Sequence, residues 1–142
     1  MYTATTNKWK TAAPMPTPRF GPGAAAGEDG RIYVVGGEGS FPSARLSTLE
    51  IYNPPTNSWT PGAAMSAARV EPGTVAGGDG AIYAIGGESG SGCQVDTVER
   101  YAPDTDTWEA RAPMPTARRA LAVVRIPDGR ILAIGGFVSC GF

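Results

Sequence analysis

The amino-acid sequence predicts an all-β protein built from three copies of one repeat unit. Residues 7–37, 57–87 and 106–136 align without a gap, at offsets of 50 and 49 residues. Apolar residues occur in short runs between Gly and Pro, and none of these runs keeps the 3.6-residue period of an amphipathic helix. A repeat at a fixed period of about fifty residues indicates structural units that stack on one another.

Several residue types recur at the same place in every copy. Tryptophan is followed by methionine, arginine, Asp-Gly, isoleucine and a glycine pair, and a tyrosine precedes the tryptophan by seven residues. The principal positions are Trp9, Trp59 and Trp108, Tyr2, Tyr52 and Tyr101, Met15, Met65 and Met114, Arg19, Arg69 and Arg118, and Gly36-Gly37, Gly86-Gly87 and Gly135-Gly136. Side chains repeated at fixed phase are expected to serve the scaffold. We expect the Tyr and Trp rings to pack between units, with each tyrosine hydroxyl bonded to backbone.

Each unit is expected to contain four short strands. First strands are predicted at 21–28, 73–78 and 120–126, where small residues suit strands crowded around an axis. An Asp-Gly turn then leads into second strands at 31–37, 81–87 and 130–136, which end at the glycine pairs. Glycine at these ends allows positive φ where the chain leaves the sheet.

The second half of each unit completes the predicted sheet. Third strands are expected at 46–52 and 96–101, and fourth strands open at the tryptophans. The stretches between each tyrosine and tryptophan are turns rich in Pro, Thr, Asn and Asp. We expect Glu50 and Glu99, which lie two residues before a tyrosine, to be partly buried and paired with the repeated arginines, since a buried carboxylate without a partner is costly.

This pattern of glycine pair, Tyr and Trp, with Met-x-x-x-Arg before the next glycine-rich strand, resembles the kelch repeat over essentially the whole chain. The resemblance implies a kelch-type β-propeller with three four-stranded blades per chain. It also implies one domain over residues 1–142, with units at about 7–56, 57–105 and 106–142.

Three blades are too few to close a propeller, which uses roughly 4–8 blades. Two chains would supply six, so we expect a homodimer that forms a six-bladed ring, with residues 1–13 as an outer strand closing a shared blade. The complete units have 14 and 13 residues between glycine pair and tyrosine, whereas 137–142 plus Met1 offer seven. The shared blade would therefore have a short third strand, or 137–142 would supply it. A truncated or engineered fragment of a longer propeller is the alternative.

Composition excludes several functions. The chain has no histidine, which removes zinc hydrolase, copper oxidase and Ser-His-Asp chemistry. A net charge of −1 gives no electrostatic basis for binding nucleic acid or an anionic membrane. No metal or cofactor is expected, and no phosphate-loop or nucleophile-elbow motif is present.

The two cysteines, Cys93 and Cys140, are too few for a disulfide scaffold or a structural zinc site. They occupy equivalent loops of successive units, so a bridge between neighbouring blades is conceivable, although free thiols are expected in a reducing compartment. The first fifteen residues lack a basic start followed by an apolar stretch. This favours a cytoplasmic protein, unless a leader has been removed.

The candidate ligand face is the end of the units that carries the repeated arginines and the loops 38–45, 88–95 and 137–142. Arginine suits a carboxylate, phosphate or sulfate group through its planar fork. The candidate ligand-binding residues are Arg19, Arg45, Arg69, Glu71, Arg118 and Arg119, accompanied by Glu38, Glu88, Phe20 and Phe41. Pairing among these charges within the blades is the competing interpretation.

The resemblance implies a non-enzymatic binding or scaffold module whose loops meet a protein, a peptide or a small acidic ligand. One alternative is a sugar-binding or sugar-acid epimerase-like kelch enzyme that uses Glu and Arg. The other is a propeller fragment with no selected ligand.

Overall fold

The computed structural model describes residues 1–40 and 44–138. Within these ranges the chain forms fourteen β-strands and no helix, so no helix there could cross a membrane. The strands are β1 Tyr2–Thr3, β2 Lys8–Trp9, β3 Arg19–Phe20, β4 Gly23–Ala26, β5 Ile32–Val35, β6 Glu38–Gly39 and β7 Leu49–Asn53. They continue with β8 Ser58–Gly62, β9 Gly73–Ala76, β10 Ile82–Ile85, β11 Val98–Ala102, β12 Thr107–Arg111, β13 Ala122–Arg125 and β14 Ile131–Ile134.

The strands form several antiparallel sheets, as the predicted all-β repeat requires. Two are four-stranded, in the orders β4-β5-β7-β8 and β9-β10-β11-β12, and two-stranded pairs lie at the ends of the chain, β1-β2 and β13-β14. The register repeats, because Tyr2 faces Trp9, Tyr52 faces Trp59 and Tyr101 faces Trp108. The pair β1-β2 therefore corresponds to the ends of third and fourth strands, and β13-β14 to first and second strands.

The predicted strands are present with bounds that differ by a few residues, and one small pairing was not anticipated. Arg19–Phe20 pairs with Glu38–Gly39 beside the glycine pair, and isolated bridges join Val70 to Glu88 and Arg119 to Phe137 at the equivalent places. These short ladders fasten the incoming link of each unit to the loop that follows its second strand. The candidate ligand face is therefore tied to the sheets by backbone hydrogen bonds.

The Asp-Gly turns are hairpin loops of three residues. The Gly30 amide donates to the Gly27 carbonyl at 3.0 Å, and Gly30 has φ +78°. This geometry is a turn followed by a left-handed residue, which glycine accommodates without strain. The Asp29 carboxylate accepts the Arg31 amide at 3.0 Å and the Tyr33 hydroxyl at 2.6 Å. The aspartate therefore stabilises the hairpin through the hydrogen bonds that its carboxylate accepts, in addition to favouring the turn.

The first strands of successive sheets lie against one another, which explains their small residues. A Cβ on Gly23 would overlap the Thr74 side chain, and one on Gly73 would lie 2.7 Å from a methyl carbon of Val123. Gly23 and Gly73 thus face Thr74 and Val123, respectively. In each case the larger residue lies in the first strand of the following sheet, one position after the equivalent of the glycine. This contact sets how closely the first strands of adjacent sheets approach.

The hydrophobic core is shared by the two four-stranded sheets. Its buried members come from second and third strands of both sheets and from the link between them: Tyr33, Val35, Leu49, Ile51, Met65, Ile82, Ala84 and Tyr101. Tyr33 and Tyr101 are in contact between the sheets, with ring centroids 5.9 Å apart. Burial of this apolar surface holds the two sheets face to face.

We expect Gly23→Val to lower the free energy of unfolding by about 1–3 kcal/mol, since the added side chain overpacks the contact with Thr74. Ala24→Val is the control, because Ala24 is exposed and its equivalents are already Thr74 and Val123. Denaturant unfolding of the two variants makes the comparison. Equal stabilities would show that the first strands are not held at a fixed spacing.

Candidate functional site

The repeated arginines of the first two units are bound to internal groups. Arg19 lies 3.0 Å from Glu50, and Arg69 is ion-paired with Glu99. The Arg69 side chain is 1% exposed and also donates to the carbonyls of Gly86 and Thr97, at 3.1 and 3.2 Å. Burial lowers the pKa of the Arg69 guanidinium, while the charge of Glu99 and its hydrogen bond oppose that shift. Both arginines connect a link, a glycine pair and a third strand inside one unit, so they are closed to a ligand.

The third arginine of the series has a different environment. Arg118 donates to the Gly135 carbonyl at 2.7 Å, as its two equivalents do to Gly36 and Gly86. Among the described residues no carboxylate pairs with it. A cavity of about 140 Å³ lies beside it, lined by Met114, Pro115, Thr116, Arg118 and Ala133. The arginine that has no carboxylate partner among the described residues therefore lies in the wall of a cavity.

On the candidate ligand face, five charged side chains form one continuous network. Arg45 bonds Glu38 at 2.7 Å and also bonds Glu88, which Arg119 approaches to 3.1 Å. Arg119 bonds Glu71 in turn at 2.6 Å. Glu88 thus receives an arginine from the unit on either side. The network joins three units, and its three carboxylates exceed its two guanidinium groups by one negative charge.

Two exposed aromatic side chains lie at the ends of this network. Phe137 packs under the Arg119 guanidinium, 5.3 Å from ring centroid to Cζ, and is 62% exposed, while Phe20 is 68% exposed. Phe20 occupies the position equivalent to Arg119, and Phe137 the position equivalent to Glu88. Phe41 and Cys140, together with the rest of 139–142, lie outside the described residues.

The repeated tyrosines have partners that differ in part from the prediction. Each tyrosine packs on the tryptophan of its own sheet, at 5.0–5.3 Å between ring centroids, and Tyr101 also contacts Tyr33 of the preceding sheet. Each hydroxyl donates to a side chain and not to backbone, because the turn residue opposite is Asn or Asp: Tyr2 to Asn7, Tyr52 to Asn57 and Tyr101 to Asp106, at 2.7–2.8 Å. Those turn residues have positive φ, which Asn and Asp tolerate.

Contact between successive units runs through the tryptophan and an alanine that the sequence reasoning passed over. The Trp59 indole donates to the Ala13 carbonyl at 3.0 Å, and Trp108 donates to Ala63 at 2.8 Å. The amides of Ala13 and Ala63 donate to the side chains of Asn57 and Asp106. The signal was present, because alanine stands at 13, 63 and 112 in all three copies.

A second cleft, of about 360 Å³, lies at the hairpin end of the sheets and was not foreseen. Its lining includes Asp29, Asp79, Asp104 and Arg100. Burial acts to raise the pKa of Asp79, but hydrogen bonds from Arg100, the Ala81 amide and Tyr83 outweigh it and lower the pKa. The Asp79 carboxylate is therefore a charged hydrogen-bond acceptor that stabilises the hairpin turn. Among residues 1–40 and 44–138 no cluster of metal-ligating side chains occurs.

A family model described as the Kelch motif matches residues 18–66 and 72–115, well over half of the chain. The chain therefore belongs to the kelch repeat family, and its antiparallel sheets are compatible with a fragment of a kelch-type propeller. Membership indicates a protein-binding or scaffold repeat module. No curated protein sequence matches the chain at a significant level.

We expect Glu99→Gln to destabilise the protein by about 3–5 kcal/mol, because it leaves the Arg69 guanidinium buried without its counter-charge. Glu109→Gln is the matched control, since Glu109 forms an exposed ion pair with Arg111 of the same strand, β12, and its loss should cost less than about 1 kcal/mol. Urea titrations of both variants decide the point. A small, equal effect would mean that the buried pair does not stabilise the sheet.

Proposed function

We propose that the chain is a non-enzymatic binding module, of which two copies close into a six-bladed homodimeric ring that presents the candidate ligand face to a protein, a peptide or a small acidic ligand. The observation that carries this proposal is the distribution of exposed large apolar side chains. In the described residues they occur only near the two ends of the chain: Met1, Tyr2, Trp9 and Phe20, and Val124, Leu132, Ile134, Phe137 and Val138. Contiguous exposed apolar surface marks an interaction site, and here it lies where a fourth unit would stack.

Hydrogen bonds between successive units provide a template for this contact. The indole of Trp9 is 81% exposed, and its equivalents donate to alanine carbonyls. In the ring, Trp9 of one copy donates to the Ala112 carbonyl of the other, and the Ala112 amide donates to Asn7. Neither Ala112 group has a partner in the described part of the chain. Each of these two bonds has two precedents within the protein.

Backbone hydrogen bonds between the residues just before the first strands of successive units provide a second model for the contact between two copies. The Glu71 amide donates to the Gly21 carbonyl at 2.7 Å, and the Ala120 amide to the Glu71 carbonyl at 3.0 Å. These three positions share positive φ, and continuation places the Gly21 amide of the second copy on the Ala120 carbonyl. The glycine pairs behave alike, since Gly37 donates to the Arg69 carbonyl and Gly87 to that of Arg118. Gly136 then donates to Arg19 of the second copy.

The network pattern also favours contact between the ends. Arg119 and Glu88 are ion-paired across neighbouring units, and the residues at their equivalent positions on the two ends are Phe20 and Phe137. In the ring, Phe20 of one copy packs on Phe137 of the other. An aromatic contact thus replaces an ion pair at the seam, and both rings lose their exposure to water.

The paired charges support binding rather than catalysis. Glu71 and Glu88 are each held in an ion pair with Arg119, so both carboxylates already have a partner in the network. The same groups can exchange partners with an incoming charged side chain at little desolvation cost, because they remain partly exposed. Two copies double this surface around one axis.

We expect the protein to have a solution mass near twice 14.6 kDa by light scattering. Trp9→Ala should raise the dimer dissociation constant at least about tenfold, because it removes a hydrogen bond and an apolar anchor from each seam. Lys10→Ala, at an exposed neighbouring position, is the control. A wild-type monomer at all concentrations, or a dimer indifferent to Trp9→Ala, would refute the ring.

Peptides selected from a random library on the wild-type protein should bind Arg119→Gln at least about tenfold more weakly, because the substitution removes a guanidinium from the ligand face. Arg130→Gln is the control, since Arg130 pairs with Asp128 on a hairpin. Incubation with a sialic-acid-type sugar, followed by NMR, tests the enzyme alternative. Peptides insensitive to Arg119→Gln, or epimerisation of the sugar, would contradict the proposed function.

A further inference from the structure

The third unit retains the side chains that hold a buried glutamate in the first unit. There, the Thr17 hydroxyl donates to one Glu50 oxygen at 2.6 Å, and Arg19 lies 3.0 Å from the other. The equivalents of Thr17 and Arg19 are Thr116 and Arg118, and both line the cavity of about 140 Å³. A hydroxyl and a guanidinium are thus kept in the arrangement that binds a carboxylate.

The cavity also lies where the glutamate would be. In the two four-stranded sheets the glutamate faces the third residue of the second strand, since Glu50 pairs with Val34 and Glu99 with Ala84. The equivalent residue of β14 is Ala133, which forms part of the cavity wall. Within the described residues β14 pairs with β13 alone, so its other edge carries no strand.

Arg118 is already oriented for such a ligand. In all three units Nη1 of the arginine donates to the carbonyl of the first residue of the glycine pair, at 2.7–3.1 Å. In the first two units this leaves Nη2 to meet the glutamate carboxylate. The same hydrogen bond in the third unit engages Nη1 and leaves Nη2 available to a ligand in the cavity, whose wall includes Arg118. This anchored donor reduces the side-chain entropy that binding would cost.

We infer that this cavity is a binding site for a carboxylate carried on a short, unbranched apolar stem. Arg118 and Thr116 bind the carboxylate oxygens, and Met114 and Ala133 contact the stem. The ligand is either a free monocarboxylate or a glutamate side chain on an extended strand added to the open edge of β14. The cavity is built from one chain, so binding of the carboxylate does not depend on the proposed ring, whereas an added strand would compete with the N-terminal strand of the second copy for the edge of β14.

Butyrate is the probe for the free acid, with butyramide as its uncharged control at the same ionic strength. Titration followed by NMR should give saturable shifts at Thr116, Ala133 and the Arg118 side chain with butyrate, and none with butyramide. Arg118→Gln should weaken binding at least about tenfold, because it removes the charge-assisted hydrogen bonds. Arg130→Gln should leave binding unchanged, and the spectrum of each variant shows whether it is folded.

The second source is tested with the protein's own third strand. A peptide of residues 47–53, Ser-Thr-Leu-Glu-Ile-Tyr-Asn, should shift the amides of Ile131–Ile134 as well, and its Glu→Gln form should bind at least about tenfold more weakly. Binding of either probe with the stated dependence on its carboxylate and on Arg118 supports the site. Equal binding of butyramide, insensitivity to Arg118→Gln, or no binding of either probe would overturn it. A monomeric protein that binds butyrate would remove the ring and leave this site.

Discussion

The structure depends on a buried guanidinium in each complete unit. Arg69 bonds Glu99 on a third strand, the Gly86 carbonyl at the end of a second strand and the Thr97 carbonyl that precedes the third strand. One side chain thus fixes the link, the glycine pair and the strand, whose relative positions determine the loops of the candidate ligand face. Because the arginine is buried, Nη1 and Nη2 need acceptors, and the carboxylate and the two carbonyls that they meet favour a single arrangement of the three segments.

Repetition of that arrangement gives the ends of the chain their chemistry. Each hydrogen bond that joins one unit to the next has a donor side and an acceptor side, such as the Trp59 indole and the Ala13 carbonyl. At the two ends one side of each contact stands without its counterpart in the described residues, beside exposed apolar side chains. The two ends are therefore complementary in hydrogen bonding and in hydrophobicity. Arg118 likewise keeps the hydrogen bond to the glycine pair that Arg19 and Arg69 make, although no third strand lies beside it in the described residues.

The candidate ligand face carries charges of both signs and is not a cluster of one charge. Glu88 receives Arg45 and Arg119, so the loops of three units are cross-linked by ion pairs that remain partly exposed. Such pairs contribute modestly to stability and can rearrange around a charged partner. The buried arginines contribute to architecture, and the partly exposed ones are those that we propose for recognition, although all belong to the same face.

The sequence by itself determined the repeated unit and its strand content, because the Asp-Gly turns and the glycine pairs favour particular backbone geometries wherever they occur. It also indicated the pairing of Glu50 and Glu99 with repeated arginines, since a buried carboxylate requires a counter-charge. Only the tertiary structure separated Arg118 from Arg19 and Arg69, because three identical residues differ solely in whether a third strand lies beside them. It likewise decided the tyrosine partners, the three-residue hairpins and the Glu88 network, since these depend on which side chains the packed sheets bring within hydrogen-bonding distance.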